Sequence, residues 1–243
     1  LRLVSPLGSP GPLSLAGLVL AAALYALGRR RALVAAAPPG VESRAARLVF
    51  GVVLAVALAV TVQRVLGASW IAIVRDDEAI FWSKRAKLWF VDGLGPGYAR
   101  AVATRELANS AYPLLNPLLQ LYVFDLAGRI THVVNRLPLQ LCSVALFLCT
   151  ASALRRAAGS WVAAALLLLL ASSPLASSAA RHAHSDVLVA LGALVAGDAF
   201  ERWSRSGERA WLALASLGAA FLLWSKNEGL LLLAAFLCIQ GLA

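Results

Sequence analysis

Long apolar runs, separated by short charged turns, are the feature that most limits what this chain can fold into. A helix that spans a bilayer needs about 20 consecutive apolar residues, within a range of about 17–25. Seven runs reach or approach that length. They are Pro12–Leu27, Leu48–Gly67, Val133–Leu154, Trp161–Ala180, Val187–Trp203, Ala210–Trp224 and Leu230–Ala243. The pattern predicts an all-α, polytopic transmembrane helix bundle that forms one domain over residues 1–243.

The composition excludes several other classes of protein. Hydrophobic residues make up 60% of the chain and charged residues only 14%, whereas a soluble domain usually has about 25% charged residues. A soluble globular domain, a disordered chain and a disulfide scaffold are therefore all disfavoured. The net charge of +10 does not indicate a nucleic-acid partner, because the arginine clusters are short and divided among separate loops. The chain begins at Leu1 and contains no methionine, so we expect it to be part of a longer open reading frame.

Basic residues in the short loops predict the orientation of the bundle. Three loops rich in arginine alternate with loops that are not, and the positive-inside rule places the arginine-rich loops in the cytoplasm. The bias toward Arg, Ala and Leu suggests a GC-rich bacterial genome, and hence a plasma (inner) membrane. The cytoplasmic arginines are Arg29, Arg30, Arg31, Arg44, Arg47, Arg155, Arg156, Arg202, Arg205 and Arg209. The extracytoplasmic stretches are then the long segment 68–132 and the turns Arg181–Asp186 and Lys226–Glu228.

The long segment 68–132 begins with a predicted amphipathic helix, Asp77–Phe90. Its aromatic residues recur at near-helical spacing with cations mostly between them, which suits a helix lying in the headgroup layer. The acidic run Asp76–Glu78 lies at its N-terminus, where the helix dipole favours negative charge. A capped interfacial helix and an acidic catalytic group both fit this pattern. The aromatic face comprises Phe81, Trp82, Ala86, Trp89 and Phe90, and the cations are Lys84, Arg85 and Lys87.

Glycines and prolines organise the rest of the segment. The stretch Gly93–Gly97 should end the amphipathic helix, and it lacks the Lys-Ser/Thr of a nucleotide-binding loop. Pro113 and Pro117 have no backbone donor, so they favour a structured turn or a short broken helix. The apolar stretch 118–124 then runs to Gly128 and could re-enter the membrane surface.

The order of these motifs resembles the N-terminal part of GT-C superfamily glycosyltransferases of the dolichyl-phosphate-mannose–protein mannosyltransferase and aminoarabinose-transferase type. The resemblance covers roughly residues 48–229, and its motifs lie on one predicted membrane face. The family commonly has a lysine where this chain has Arg85, and many relatives lack the first run, Pro12–Leu27. The matching residues are Asp77, Trp82, Arg85-Ala86-Lys87, Tyr112-Pro113, Pro117, Pro174, Asp186 and Lys226-Asn227-Glu228-Gly229.

The resemblance implies a hexosyltransferase-like enzyme that transfers a sugar, with inversion, from a polyprenyl-phosphate-linked donor to an acceptor at the extracytoplasmic face. It implies that Asp77 is the general base, and a shift of one residue in the alignment would give that role to Asp76. Cations must offset charge on the departing phosphate, although each could instead extend toward lipid headgroups. The cation candidates are Arg75, Arg100, Arg105, Arg181 and Lys226. The remaining predicted substrate-binding residues are His182, Asp186, Glu228, Trp82, Arg85, Lys87 and Tyr112.

Three alternatives remain at this stage. The first is a metal site in the turn that contains His182, His184 and Asp186. Only His182 and Asp186 would align on one face of a helix, so the spacing suits zinc poorly. We therefore predict no metal site and leave a divalent metal cofactor open. A transporter or flippase of lipid-linked substrates would have inverted repeats or broken helices near the bilayer midplane, which we do not see. A non-catalytic membrane scaffold is the third. Membrane lipids, the polyprenyl-phosphate-linked sugar and an acceptor of unknown class are the expected partners.

Overall fold

The structure, a computed structural model, describes residues 42–70, 77–93, 95–104, 112–182 and 184–242. Every regular element in these ranges is helical, which confirms the predicted all-α fold class. The predicted run Pro12–Leu27 and Arg29–Arg31 lie outside the described residues. The elements are α1 (Arg44–Ser69), a π-helical segment (Asp77–Ser83), α2 (Lys84–Asp92), α3 (Pro96–Ala103), α4 (Leu115–Ala127), α5 (Leu137–Ser172), α6 (Pro174–Arg181), α7 (Asp186–Ser206), α8 (Arg209–Ser225) and α9 (Glu228–Leu242).

Helix α5 is a hairpin folded at Gly159. Gly159 has φ 75° and ψ 169°, a conformation that glycine adopts without steric cost. The two arms run antiparallel, because residues near both ends of α5 contact the C-terminal end of α1. Ser69 at the end of α1 donates to Gln140 Oε1 near the start of α5 at 2.7 Å. Arg64, also late in α1, donates to the carbonyl of Ala171 near the end of α5 at 2.7 Å. The chain therefore reverses just after Arg156, where a turn between two predicted runs was expected.

Two predicted boundaries in this region were wrong. The run Val133–Leu154 becomes helical only at Leu137, where Pro138 fits the first turn because the amide donors there have no intrahelical partner. The run Trp161–Ala180 is not one helix, since it breaks at Ser173. Ser173 is extended, with ψ 129°, because the ring of the following Pro174 disfavours the helical conformation in the residue before it.

One end of the bundle, which we call the basic end, collects arginines from two separate loops. Glu42 lies 3.2 Å from Arg155 and accepts a 2.7 Å hydrogen bond from the backbone N–H of Ser160. The bonds from Ser160, followed by the charge of Arg155, hold the pKa of Glu42 below its usual range. Asp198 forms ion pairs with Arg156 and Arg202. The hairpin turn of α5 and the C-terminal half of α7 thus meet at this end, together with the start of α1.

Two described helices are long and apolar enough to cross a membrane, Arg44–Ser69 and Leu137–Ser172. Because the second is folded at Gly159, only its first arm, residues 137–158, has the length of a span. Only 22% and 28% of the most apolar stretch of each helix is buried against the described residues. Core helices of soluble proteins are mostly buried, so these exposed apolar faces favour association with a membrane. Arg209–Ser225 and Glu228–Cys238 are apolar but shorter.

Candidate functional site

At the end of the bundle opposite the basic end, Lys226 joins two carboxylates from different helices. Its Nζ lies 3.0 Å from Asp186 Oδ1 and 3.5 Å from Glu228 Oε1. Asp186 begins α7, and Glu228 begins α9. The predicted turns Arg181–Asp186 and Lys226–Glu228, which are 40 residues apart at their ion pair, therefore form one charged cluster, which we call the lysine cluster.

Gly229 fixes the shape of the turn that carries Lys226. A Cβ atom at this position would lie 2.2 Å from the carbonyl oxygen of Leu222, closer than any side chain could approach. The backbone N–H of Gly229 also donates to the carbonyl of Lys226 at 2.9 Å. The short turn therefore places α9 against the end of α8, which positions Lys226 beside Asp186.

The protonation of Lys226 is set by opposing effects. Partial burial acts to lower its pKa, but the hydrogen bond and charge of Asp186, together with Glu228, outweigh burial and raise the pKa above its usual value. A raised pKa means that the stabilisation from this cation is present at neutral pH. It is lost only as the pH rises through the pKa of the folded state. Lys226 thus stays protonated over the physiological range, between its two carboxylate partners.

A chain of buried polar side chains connects the amphipathic segment to the lysine cluster. Gln120 Oε1 accepts from Ser83 Oγ at 2.7 Å and from Asn135 Nδ2 at 3.0 Å. Gln120 Nε2 donates to Asn116 Oδ1 at 2.8 Å, and Asn116 Nδ2 donates to Ser185 Oγ at 3.1 Å. All five side chains are buried. Ser83 ends the π-helical segment and Ser185 precedes Asp186. These five side chains, which we call the amide chain, therefore connect the π-helical segment to the turn before Asp186.

The amide chain was not predicted from the sequence. Asn116 and Gln120 are spaced i, i+4 in an apolar stretch, a pattern that places two polar groups on one helix face. That spacing was the available signal. Ser83, Asn135 and Ser185 are ordinary surface residue types with no pattern to mark them.

We expect Gln120→Leu to destabilise the protein by about 2–6 kcal/mol. The substitution leaves the buried donors of Ser83 and Asn135 without their acceptor, and each unsatisfied buried group costs about 1–3 kcal/mol. Thermal unfolding of the detergent-solubilised protein measures the loss. The matched control is Gln63→Leu, because Gln63 is exposed on α1. Equal stability of the two variants would contradict the structural role of the amide chain.

The amphipathic helix packs on protein through its aromatic face. Trp82 and Trp89 are both 4% exposed, and their rings contact Tyr112 and Tyr98 at centroid distances of 5.8 and 5.3 Å. The predicted aromatic face is thus packed against α3, α4 and the residues before α4, with Trp82, Ala86 and Trp89 buried and Phe81 and Phe90 half-buried. It does not form the lipid-facing surface that the sequence suggested.

The predicted cations of this helix have different surroundings. Arg85 was expected among the cations opposite the aromatic face, but it is 1% exposed, and its Nη1 donates to the carbonyl of Tyr112 at 3.1 Å. Burial lowers the pKa of Arg85, and burial also lowers the pKa of the half-buried Lys87. Arg85 therefore supports the backbone near Tyr112, and Lys87 is the more accessible of the two.

The other predicted site residues divide into described and undescribed groups. Arg181 ends α6 and is exposed, and the ring of His182 contacts that of His184 at 5.4 Å. Asp77 opens the π-helical segment, but its side chain lies outside what the structure describes. Arg75, Asp76 and Arg105 lie outside the described residues altogether. Within the described ranges, no group of three or more His, Cys, Asp or Glu side chains could hold a metal ion.

Comparison with known proteins does not place the chain in a family. No protein-family model, curated protein or solved structure matches it. The chemistry of this end therefore depends on the side chains that the fold brings together there. The charged groups are Lys226 with its two carboxylate partners and the exposed Arg181. The paired rings of His182 and His184 lie in the turn after Arg181.

Proposed function

We propose that the chain belongs to a multi-pass membrane glycosyltransferase that transfers a sugar from a polyprenyl-phosphate-linked donor to an acceptor hydroxyl. The observation that carries the proposal is the amide chain. It links the segment that begins at Asp77 to the turn before Asp186. Asp186 in turn pairs with Lys226, which lies in the turn between α8 and α9. The segment that begins at Asp77 and the turn that precedes Asp186, from distant parts of the sequence, are thus tied to each other by buried hydrogen bonds.

The proposed reaction is a single displacement at the anomeric carbon. The acceptor hydroxyl loses its proton to the Asp77 carboxylate as its oxygen bonds to the anomeric carbon. The bond from that carbon to the phosphate oxygen breaks on the opposite face, and the polyprenyl phosphate leaves with the electron pair. Attack opposite the leaving group inverts the anomeric configuration. Lys226, with Arg181 beside the turn, offsets the charge that develops on the phosphate.

The membrane arrangement is part of the proposal. We infer that the apolar runs cross the bilayer, that the basic end faces the cytoplasm and that the lysine cluster lies at the extracytoplasmic surface. Three observations support this. The arginines of separate short loops gather at one end, the lysine cluster lies at the other, and apolar side chains of α1 and α5 are exposed between them. A lipid-linked donor would meet the protein at the headgroup level, where its phosphate lies.

Lys226→Gln tests the role of the cluster. We expect the turnover of a radiolabelled polyprenyl-phosphate sugar, measured in membranes that contain the protein, to fall about a hundredfold, as when one charge-stabilising donor is removed. Lys226→Arg should recover a substantial part of the activity because the charge is retained. Arg129→Gln is the matched control, since Arg129 is an exposed cation after α4.

Two results would contradict the proposal. One is full activity in Lys226→Gln, which would remove this cation from the reaction. The other is movement of the labelled lipid-linked sugar across sealed vesicles with no transfer to any acceptor. That result would favour the transporter or flippase reading of the sequence.

A further inference from the structure

A cavity of about 150 Å³ lies at the basic end between α5, α7 and α8. It is far along the helices from the lysine cluster, and the proposed sugar transfer does not use it. Its polar wall contains Arg156, Asp198 and Arg202, and its apolar wall contains Leu194, Val195 and Leu214. The cavity therefore has a cationic mouth and an apolar side formed by residues within helices.

The charges at the mouth are not balanced. Asp198 is the shared partner of Arg156 and Arg202, so two positive charges face one negative charge. A carboxylate accepts about four hydrogen bonds, whereas two guanidinium groups offer roughly ten donors. Asp198 can therefore orient both arginines without using all of their donors.

The arginines are held in place and remain accessible. Arg156 also donates to Ser152 Oγ, and Arg202 Nε lies 2.9 Å from Asp198 Oδ2. The guanidinium of Arg202 stacks over the ring of Trp211, 4.3 Å from its centroid. Their side chains are still 39% and 29% exposed. Two fixed and accessible guanidinium groups suit the bidentate recognition of a phosphate.

We propose that this cavity binds an anionic glycerophospholipid. The phosphate contacts Arg156 and Arg202, and the start of an acyl chain lies against Leu194, Val195 and Leu214. A free phosphate would satisfy only the cationic mouth, whereas a phospholipid also covers the apolar wall. Basic pockets between membrane helices on the cytoplasmic side commonly bind anionic lipid headgroups. The inference requires a membrane-embedded bundle but no sugar transfer.

Quenching of tryptophan fluorescence by brominated lipid tests the inference directly, because Trp211 lines the cavity. The whole protein is placed in nanodiscs with equal mole fractions of brominated phosphatidylglycerol or brominated phosphatidylcholine. We expect stronger quenching by phosphatidylglycerol, and we expect that excess to disappear in Trp211→Phe. No excess, or an excess that persists in Trp211→Phe, would overturn the proposal.

Charge variants locate the headgroup. In Arg156→Gln/Arg202→Gln, the preference for phosphatidylglycerol should fall roughly thirtyfold, given the usual contribution of each of the two arginines near a membrane surface. Arg205→Gln is the matched control, because Arg205 lies on the same helix, pairs with Glu201 and does not line the cavity. Equal loss in the control would overturn the site. If the double variant does not fold, the Trp211→Phe comparison decides, because its charges are intact.

A soluble competitor separates a lipid from a free phosphate ester. Glycerol 3-phosphate, added to nanodiscs that contain brominated phosphatidylglycerol, should leave the excess quenching unchanged because it offers nothing to the apolar wall. Loss of the excess would mean that the cavity recognises the phosphate alone, and this would overturn the assignment to a phospholipid.

Discussion

Replacing Asp77 with asparagine should abolish sugar transfer, with a loss of about 10²–10⁴-fold, the usual contribution of a general base. Asparagine keeps the size of the side chain and its place at the start of the π-helical segment, but it cannot take the acceptor proton. The measurement is transfer from a radiolabelled polyprenyl-phosphate sugar at saturating donor concentration. Binding of the donor should change little, so the loss should appear in kcat and not in KM.

Two matched variants make this test specific. Asp76→Asn should retain activity if Asp77 is the base, and a loss confined to Asp76→Asn would move the role by one residue. Asp125→Asn is the control, because Asp125 is an exposed carboxylate in α4 of the same long segment. Activity near that of the control in both Asp76→Asn and Asp77→Asn would remove this acidic run from the mechanism. Lys226→Gln could still be impaired, so the two parts of the proposal fail separately.

The helical content was predictable because it depends on local rules. The apolar runs and Gly128 predicted most of the element boundaries near where the structure has them, whereas the role of Gly159 was not predicted. Gly128 ends α4 with φ 62°, and Gly159 permits the reversal within α5. The break at Ser173 is also local, since it follows from Pro174, but the hydropathy of the run Trp161–Ala180 hid it. A window that averages apolar character does not detect one residue with an extended backbone.

The site was predictable only in part, because its assembly depends on tertiary contacts. The sequence suggested that Lys226 and Asp186 share one face of the membrane, but not that their side chains pair at 3.0 Å. It placed Arg85 among the surface cations, whereas the structure buries Arg85 against the backbone of Tyr112. Burial of a charged side chain is decided by what packs over it, in this case residues about 27 positions later in the chain. Helical periodicity contains no information on that contact.

The contact between α7 and α8 is a second example of tertiary packing that the sequence does not reveal. The core of this pair includes several alanines, among them Ala196, Ala199, Ala215 and Ala219, and small residues let helix backbones approach closely. Gly218 lies so near α7 that a Cβ atom would be 2.6 Å from the backbone nitrogen of Ala196. The sequence shows many small residues, but only the structure shows which of them lie at the closest approach.

Gly218→Ala should therefore destabilise the bundle, by about 1–3 kcal/mol, as is typical when a core is overpacked. The nearest atom is backbone, so no side chain can rotate away and the two helices must separate. Gly218→Val should cost more. Thermal unfolding in detergent measures the change, and Gly51→Ala is the matched control. A Cβ at Gly51 would meet nothing within 4 Å in the described structure, so alanine there should be neutral or stabilising by up to about 1 kcal/mol through its helix propensity.

The same substitution also tests how the two ends of the bundle are connected. Helix α8 leads into the turn of Lys226, and α7 begins at its partner Asp186, so moving these helices apart should lengthen the ion pair between them. Gly218→Ala should then reduce sugar transfer more than Gly51→Ala does, even at temperatures where both variants are folded. If Gly218→Ala were as stable as Gly51→Ala, α7 and α8 could not be as close as described. The geometry of the lysine cluster, which depends on that closeness, would then be wrong as well.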